Sequence, residues 1–310
     1  MKNALRFLFW KLVLLLTVVV GVTTLMFFLT RATGDPAVLL SPPEASDEVV
    51  EANRVRLGLD EPLLLQFWHT LLDTFTFNFG NSFVSGQDVG ADVLGRLGPS
   101  LALVVPGLVL AAVLAGVIGT YAALHQADPR GRLLMAAAFL LDGIPYFLIA
   151  LLLVLVLALQ FNVLPATGGE GGAALVIPIA VLTIQGFATL SRLTRGQLID
   201  SLSQGPVTMA KSKGLPARTV LFKHAVPLAL PPLIAYLGIL FSFMIGSLLI
   251  LESILNYPGL GQFLVRSVGQ RDFPAVQASV IVIAVLITVV NIAMDTLVRV
   301  LDPRLRTKVS

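Results

Sequence analysis

The chain has 310 residues, of which 56 % are hydrophobic and only 13 % charged. A soluble domain carries about 25 % charged residues, so the composition is that of a membrane protein. A net charge of +3 with no aromatic-interleaved basic surface gives no argument for nucleic acid as a partner, and the lack of cysteine excludes disulfides and thiolate metal sites.

Six apolar runs are long enough to cross a bilayer, for which roughly 20 residues are needed. They cover 12–30, 101–124, 133–159, 173–191, 225–251 and 275–298. Backbone polar groups inside lipid must be satisfied internally, so each run is predicted to be helical. Pro178 and the group Pro227, Pro231 and Pro232 predict local kinks or frayed ends. Lys2, Arg6 and Lys11 precede the first run as in a signal peptide. The run is longer than a usual signal core and no Ala-x-Ala site follows, so an uncleaved first span is expected.

Lys and Arg distribute unevenly between the segments joining these runs. With the N-terminus inside, the inner segments hold fifteen basic residues and the outer ones six, while the outer segments also hold thirteen acids. The positive-inside bias therefore predicts that both termini face the cytoplasm.

Residues 31–100 form an outer cap segment too long for a simple loop. Asp60 is placed to cap a helix with Pro62 in its first turn. The apolar residues that follow, with Trp68 at headgroup depth, predict an amphipathic helix lying on the outer interface. A short helix over 89–97 is expected after the string Phe79-Gly80-Asn81-Ser82. The division expected is thus 1–30, the N-terminus and first span; 31–100, the cap; and 101–310, a five-helix core.

The inner segment 192–224 is the long basic interruption of the apolar pattern, with Arg192, Arg195, Lys211, Lys213, Arg218 and Lys223 against one acid, Asp200. Pro206 can open a helix and Gly214 can close it in a left-handed cap. Pro216 then starts a second helix running through His224. Val207, Ala210 and Gly214 share one small face at helical spacing. Such a face lets another protein approach closely, whereas the basic residues could instead serve lipid headgroups alone.

Several strings together resemble permease subunits of binding-protein-dependent ABC importers. The loop is similar to their EAA signature: Thr208, Met209 and Ala210 occupy the Glu-Ala-Ala positions, Gly214 the glycine, and Pro227 the proline thirteen residues on. The first two positions depart from the general pattern. They lie closer to the peptide/nickel branch, as do Lys211-Ser212-Lys213-Gly214-Leu215 and His224-Ala225. In order along the chain, Gly34-Asp35-Pro36, Arg56-Leu57-Gly58-Leu59-Asp60-Glu61-Pro62-Leu63, the string 79–82, Ile144-Pro145-Tyr146-Phe147, Leu164-Pro165-Ala166-Thr167-Gly168, Tyr257-Pro258-Gly259-Leu260-Gly261 and Leu301-Asp302-Pro303-Arg304-Leu305-Arg306 also resemble that branch.

What the resemblance implies is an all-α membrane protein of six spans with the type I importer permease fold, in a bacterial inner membrane. It would import dipeptides or oligopeptides, with nickel chelates or glutathione-like peptides as alternatives. Its implied partners are a second homologous permease, two cytoplasmic ATPases that bind ATP and Mg, an external substrate-binding protein and lipid. The chain itself would hold no cofactor and catalyse nothing. It has no phosphate-cradling Gly-x-x-x-x-Gly-Lys-Ser/Thr loop and no Gly-x-Ser-x-Gly elbow, zinc helix or paired catalytic carboxylates. Val207, Thr208, Ala210, Lys211, Lys213, Gly214 and Arg218 would couple to the ATPase.

Asp142 lies inside the third run, next to Pro145 and Phe147. An acid within a span is costly and functional by default. It is expected to face the translocation path or the partner subunit and help accept a cationic group, or else to make a contact at the kink. Asp295 either pairs with Arg299 or marks an ion site. The turn at 252–261 is expected to present Tyr257, Pro258, Gly259 and Gly261 to the binding protein, or to be a plain connection. His69, His125 and His224 have no ligand spacing for a metal. A stand-alone secondary carrier, which would show internal repeats, and an intramembrane enzyme or scaffold are the rival readings.

Overall fold

The computed structural model describes residues 2–32, 36–39, 46–56, 58–166 and 171–301. Among them every regular element is helical, and an isolated bridge pairs Asn81 with Asp88. Gly34, Asp35, Leu57, Thr167, Gly168 and 302–306, which carry parts of the strings above, lie outside the described residues. The chain divides into two compact units, residues 1–98 with 263–288, and residues 99–262 with 289–310.

The first unit opens with α1 (Lys2–Ala32), followed by the short α2 (Pro36–Leu39), α3 (Asp47–Arg56) and α4 (Leu63–Thr76). The end of α1 packs against α4, with the Phe27 and Phe67 rings edge to face at 5.3 Å. The Arg31 guanidinium stacks 3.4 Å from the Phe27 ring centre and donates to the Gln66 side chain. Gln66 in turn donates to the carbonyls of Leu59 and Glu61, at 3.1 and 2.7 Å. The residue at the start of α4 is Pro62, with no side-chain cap. Asp60 therefore does not cap this helix. Gln66 gathers the preceding turn instead, because its amide reaches back two carbonyls at once. Leu64, Trp68, Leu72 and Phe75 stay exposed along α4, the apolar face an interfacial helix needs.

A left-handed Phe77 ends α4 and turns the chain into 79–88. Ser82 Oγ donates to the buried Asp272 carboxylate at 2.5 Å, and the Phe83 N–H donates to its other oxygen at 3.1 Å. Asp272 immediately precedes α13 (Phe273–Leu301). One carboxylate thus ties the 79–88 turn to a helix start 190 residues away.

α5 runs from Val89 to Leu124 without a break, where a short helix and a separate span were expected. At 1.5 Å per residue, its 36 residues measure about 54 Å. Pro99 and Pro106 lie inside it; helices of membrane proteins absorb such residues when neighbours re-satisfy the freed backbone groups.

In the second unit α6 (Pro129–Asp142) and α7 (Tyr146–Leu153) replace the third predicted span, and α7 continues as a widened π-helical stretch over Val154–Gln160. The two halves meet at 97°. Gly143 closes α6, and Pro145 stands in the extended region at the start of α7. Proline pushes the residue before it out of the helical region. The predicted single span is therefore sharply broken. The other prolines interrupt less: Pro231 and Pro232 lie inside a continuous helix. Pro178 falls in the first turn of α8 (Val176–Leu202), where no donor is required. Pro227 follows a widened turn over Val220–Ala225 that joins α10 (Ala217–Thr219) to α11 (Val226–Ile254).

α8 is the centre of this unit, packed against α6, α7 and α11. Small residues bring α5 against it. A Cβ added at Gly119 would stand 2.7 Å from Thr194 Cβ, and one at Gly107 2.9 Å from Leu182 Cβ. Close backbone approach of this kind is how helices associate where lipid offers no hydrophobic drive. Helices long and apolar enough to cross a membrane number five among the described residues, or six when the bent pair is one span.

Candidate functional site

The basic segment is shorter than its sequence suggests, because α8 carries Arg192 and Arg195 as helix through Leu202. After Gln204 comes α9 (Gly205–Ser212), with Pro206 in its first turn. Its end has the full hydrogen-bond pattern of a glycine stop. Gly214 N donates to the Lys211 carbonyl at 2.9 Å and Leu215 N to the Ala210 carbonyl at 3.4 Å. Gly214 itself sits at φ +74°. These are the 5→2 and 6→1 bonds of a Schellman motif. Pro216 then starts α10, but the second helix does not finish at His224. It runs through the widened turn into α11, one apolar helix over Ala217–Ile254.

α9 does not present the expected face. Val207 and Ala210 are 0 % and 4 % exposed, packed into a cluster with Ala123, Leu198, Val220, Leu221, Ala225 and Ala229. Their small size lets α9 approach its own chain. The face open to another protein is the opposite one. It carries Thr208, Met209 (58 % exposed), Lys211 and Ser212, and Lys213, Gly214 and Arg218 are exposed in the joint and in α10 beyond it. Lys211 Nζ donates to the Leu202 carbonyl at 3.2 Å and so satisfies a group at the end of α8. Among the described residues Lys213 and Arg218 form no ion pair.

Asp142 is not an open acceptor for a cation. Arg192 donates to its Oδ2 at 2.5 Å, and Thr189 Oγ donates to Oδ1 at 3.0 Å. The two side chains are 30 % and 38 % exposed, and the guanidinium also lies 5.6 Å from the Phe139 ring centre. Of its expected companions, Pro145 forms the break and Phe147 stands 41 % exposed on α7. The pair joins the end of α6 to α8 beside the 97° bend. The contact at the kink is the reading the geometry favours.

The turn at 252–261 is likewise folded inward. Glu252, in the last turn of α11, is 0 % exposed. Its carboxylate accepts from Ser100 Oγ at 2.6 Å, Gly261 N at 2.7 Å and Gln262 N at 3.1 Å. Leu260 N donates to Ser100 Oγ at 2.8 Å. The first N–H groups of α12 (Leu260–Gly269) have no partner within their helix, and Glu252 with Ser100 supplies one for each. The positive end of the helix dipole favours the charge. Gly259 is the only residue type that fits there, since a Cβ would fall on the Glu252 carboxylate; one on Gly261 would lie 2.8 Å from the Leu248 carbonyl oxygen. Tyr257, Gly259 and Gly261 are buried, and Pro258 alone of the four expected docking residues is exposed. Burial of the Tyr257 ring pushes its phenol above the usual range, and the nearby Glu252 charge adds to this.

Glu252 and Ser100 were not among the expected site residues. The legible signal was an acid abutting a long apolar run, followed by a glycine-rich turn. Its partner, 152 residues earlier, left no trace in the pattern.

A family model described as binding-protein-dependent transport system inner membrane component matches residues 115–307, and its N-terminal counterpart matches residues 4–104. The chain belongs to this family. Its members are transport permeases of the inner membrane, and the many apolar helices make this one a multi-pass protein. The glutathione transport system permease protein GsiC of Escherichia coli (strain K12) is 33 % identical over 288 residues, which cover 93 % of this chain and 94 % of that protein. The protein of the same description from Salmonella typhimurium (strain LT2) is 31 % identical over 305 residues, 98 % of this chain and the whole of that one. Among solved structures, the inward-facing MetNI methionine ABC transporter superposes with a TM-score of 0.58 at 16 % identity, covering 68 % of this chain and 96 % of that chain. That likeness concerns the fold, which is the type I importer permease fold. Within it, α9 and the joint that follows it combine an exposed cationic side with the buried side chains of Val207 and Ala210.

Proposed function

We propose that this ABC importer permease moves short peptides, including glutathione-like tripeptides, inward across the bacterial membrane with both termini cytoplasmic. It pairs with a second, homologous permease; two cytoplasmic ATPases bind ATP and Mg; an external binding protein delivers the solute. Residues 1–30 anchor the chain, 31–100 form the outer cap, and 101–310 form the permease core. The substrate class rests on the relatives, which are named for glutathione transport and align over nearly the whole chain.

The coupling role rests on one observation, the two-sided construction of α9. Its inner side, Val207 and Ala210, is fixed among side chains of α5, α8 and α11. Its opposite side offers Thr208, Met209 and Lys211 to a partner, and the joint and α10 that follow add Lys213, Gly214 and Arg218. A helix clamped in this way passes a displacement on to α8 and α11 instead of absorbing it, because packed interiors deform little. Closing of the ATPase pair then rocks the spans between inward and outward access. A headgroup-only role would need the charges but no rigid mount.

The test is ATPase activity of the coexpressed complex in lipid, with candidate binding proteins carrying glutathione, a dipeptide, a longer peptide or chelated nickel. Stimulation by a peptide-loaded binding protein is expected. Stimulation only by the nickel chelate would overturn the substrate class, and absence of any copurifying ATPase would overturn the importer reading.

A further inference from the structure

Two of the strings that coupling leaves unused, 56–63 and 79–82, meet in the first unit around one cavity of about 770 Å3. That is within the roughly 300–1,000 Å3 of small-molecule sites. Arg31, Arg56, Asp73, Asn78, Asn81 and Gln277 line it, together with the rings of the 79–83 turn. The walls are held in place. Arg31 is fixed by Phe27 and Gln66, and the 79–83 turn is fixed by the Ser82 and Phe83 bonds to Asp272. Among the described residues neither Arg56 nor Asp73 has an ion-pair partner. Asn78 Nδ2 donates to Asp73 Oδ1 at 3.4 Å, and Arg31 donates to the Phe27 carbonyl and the Gln66 side chain. The cavity therefore offers the Arg56 guanidinium, the remaining N–H groups of Arg31, the second oxygen of Asp73 and the amides of Asn81 and Gln277. Guanidinium groups bind carboxylates through paired, charge-assisted hydrogen bonds, and a carboxylate binds an ammonium.

We infer that the cap cavity is a low-affinity binding site for a short peptide carrying two carboxylates and one ammonium. Arg31 and Arg56 face the carboxylates, Asp73 the ammonium, and the amides the peptide bonds. The inference rests on the peptide-import reading for the origin of the ligand, and on the cavity for its charge class.

The experiment uses the assembled importer in lipid nanodiscs without binding protein, probed by saturation-transfer NMR. Its probes are the dipeptides Ala-Glu, Ala-Ala and Ala-Lys. Ala-Glu is expected to bind most tightly and Ala-Lys least. Arg56→Gln should weaken Ala-Glu about tenfold, the size of one charge-assisted bond, toward the affinity of Ala-Ala. Arg56→Lys should keep part of the difference, and Asp73→Asn should weaken all three. Equal binding of the three peptides, or an Arg56→Gln variant indistinguishable from wild type, overturns the site. The same wild-type preparation is assayed for ATPase stimulation by a peptide-loaded binding protein. Arg56-dependent Ala-Glu binding without any stimulation would support the site and overturn the import reading. Stimulation without such binding would overturn the site alone.

Discussion

Two carboxylates stand at the ends of apolar helices in the second unit, each beside a proline and a glycine, and the chain treats them in opposite ways. Glu252 is sealed, and its donors are neutral: a serine hydroxyl and two backbone N–H groups. Asp142 is about one-third exposed and is met by an arginine and a threonine. A charge removed from water must be fully hydrogen-bonded to persist, so the turn at 252–261 has folded around Glu252 and cannot open without stranding it. An ion pair that keeps contact with water contributes little and can separate at little cost. The first carboxylate holds the fold together. The second sits at a bend that is free to change.

The largest effect should come from filling the space the sealed carboxylate occupies. Gly261→Ala would drive a methyl group into the Leu248 backbone, and Gly259→Ala would drive one into Glu252. Overpacking against groups that cannot move costs about 3 kcal/mol or more. Both variants should extract from membranes with a strongly lowered melting temperature or not at all, while Pro258→Ala, on the exposed corner of the same turn, should melt like wild type. Equal melting of all three would mean that the turn is loose and that the contrast with Asp142 is false.

Removing the acid is the next largest change. Glu252→Ala leaves Ser100 and the first N–H groups of α12 without their acceptor, at about 1–3 kcal/mol for each donor left unmet. Glu252→Gln keeps one accepting oxygen but turns an amide N–H2 toward other donors, so it should fall between wild type and Ala. Thermal unfolding followed by tryptophan fluorescence in detergent would rank the three. A variant as stable as wild type would show that water replaces the carboxylate, and the turn would then be available for docking after all.

Gly214→Asp separates holding from moving at a third place. At φ +74° an aspartate is strained by about 1 kcal/mol, and it adds an acid to the cationic face of α9. The protein should insert and melt nearly normally, yet ATPase activity in the complex should no longer respond to a loaded binding protein. Normal stimulation would remove the coupling role from this joint.

How much of this was legible in advance follows from how local each cause is. The apolar runs announced the long helices because lipid solvation acts residue by residue, and the Gly214 stop was readable because a left-handed cap involves six consecutive residues. Helix continuity was not readable. The gap expected between a helix over 89–97 and a span over 101–124 is crossed by α5, while Pro145 makes the one sharp break among the described residues, since neighbouring helices decide which proline is tolerated. The inward turn of Val207 and Ala210 was hidden for a similar reason. A small face fits a partner and the chain's own core equally well, and only the packing of Leu198 and Ala225 chooses between them. Arg192 was read as part of a loop because its charge ends the apolar run, although the helix continues for ten more residues.

The smallest effect on stability, and the sharpest test of the comparison, is Asp142→Asn. The amide keeps the shape and one oxygen for Thr189, but gives up the charge opposite Arg192. For a pair this exposed the loss should be below about 1 kcal/mol, within a degree or two of wild-type melting for a chain of this length. A bend held by the pair should nevertheless respond kinetically. Turnover of the loaded complex should change severalfold, while the relative rates for cationic, neutral and anionic peptides stay as they were. Arg192→Gln should reproduce that change, and the double variant should add nothing further, because both single changes break the same contact. A selective loss of cationic peptides in Asp142→Asn alone would instead return this carboxylate to the translocation path and make the arginine its competitor for substrate.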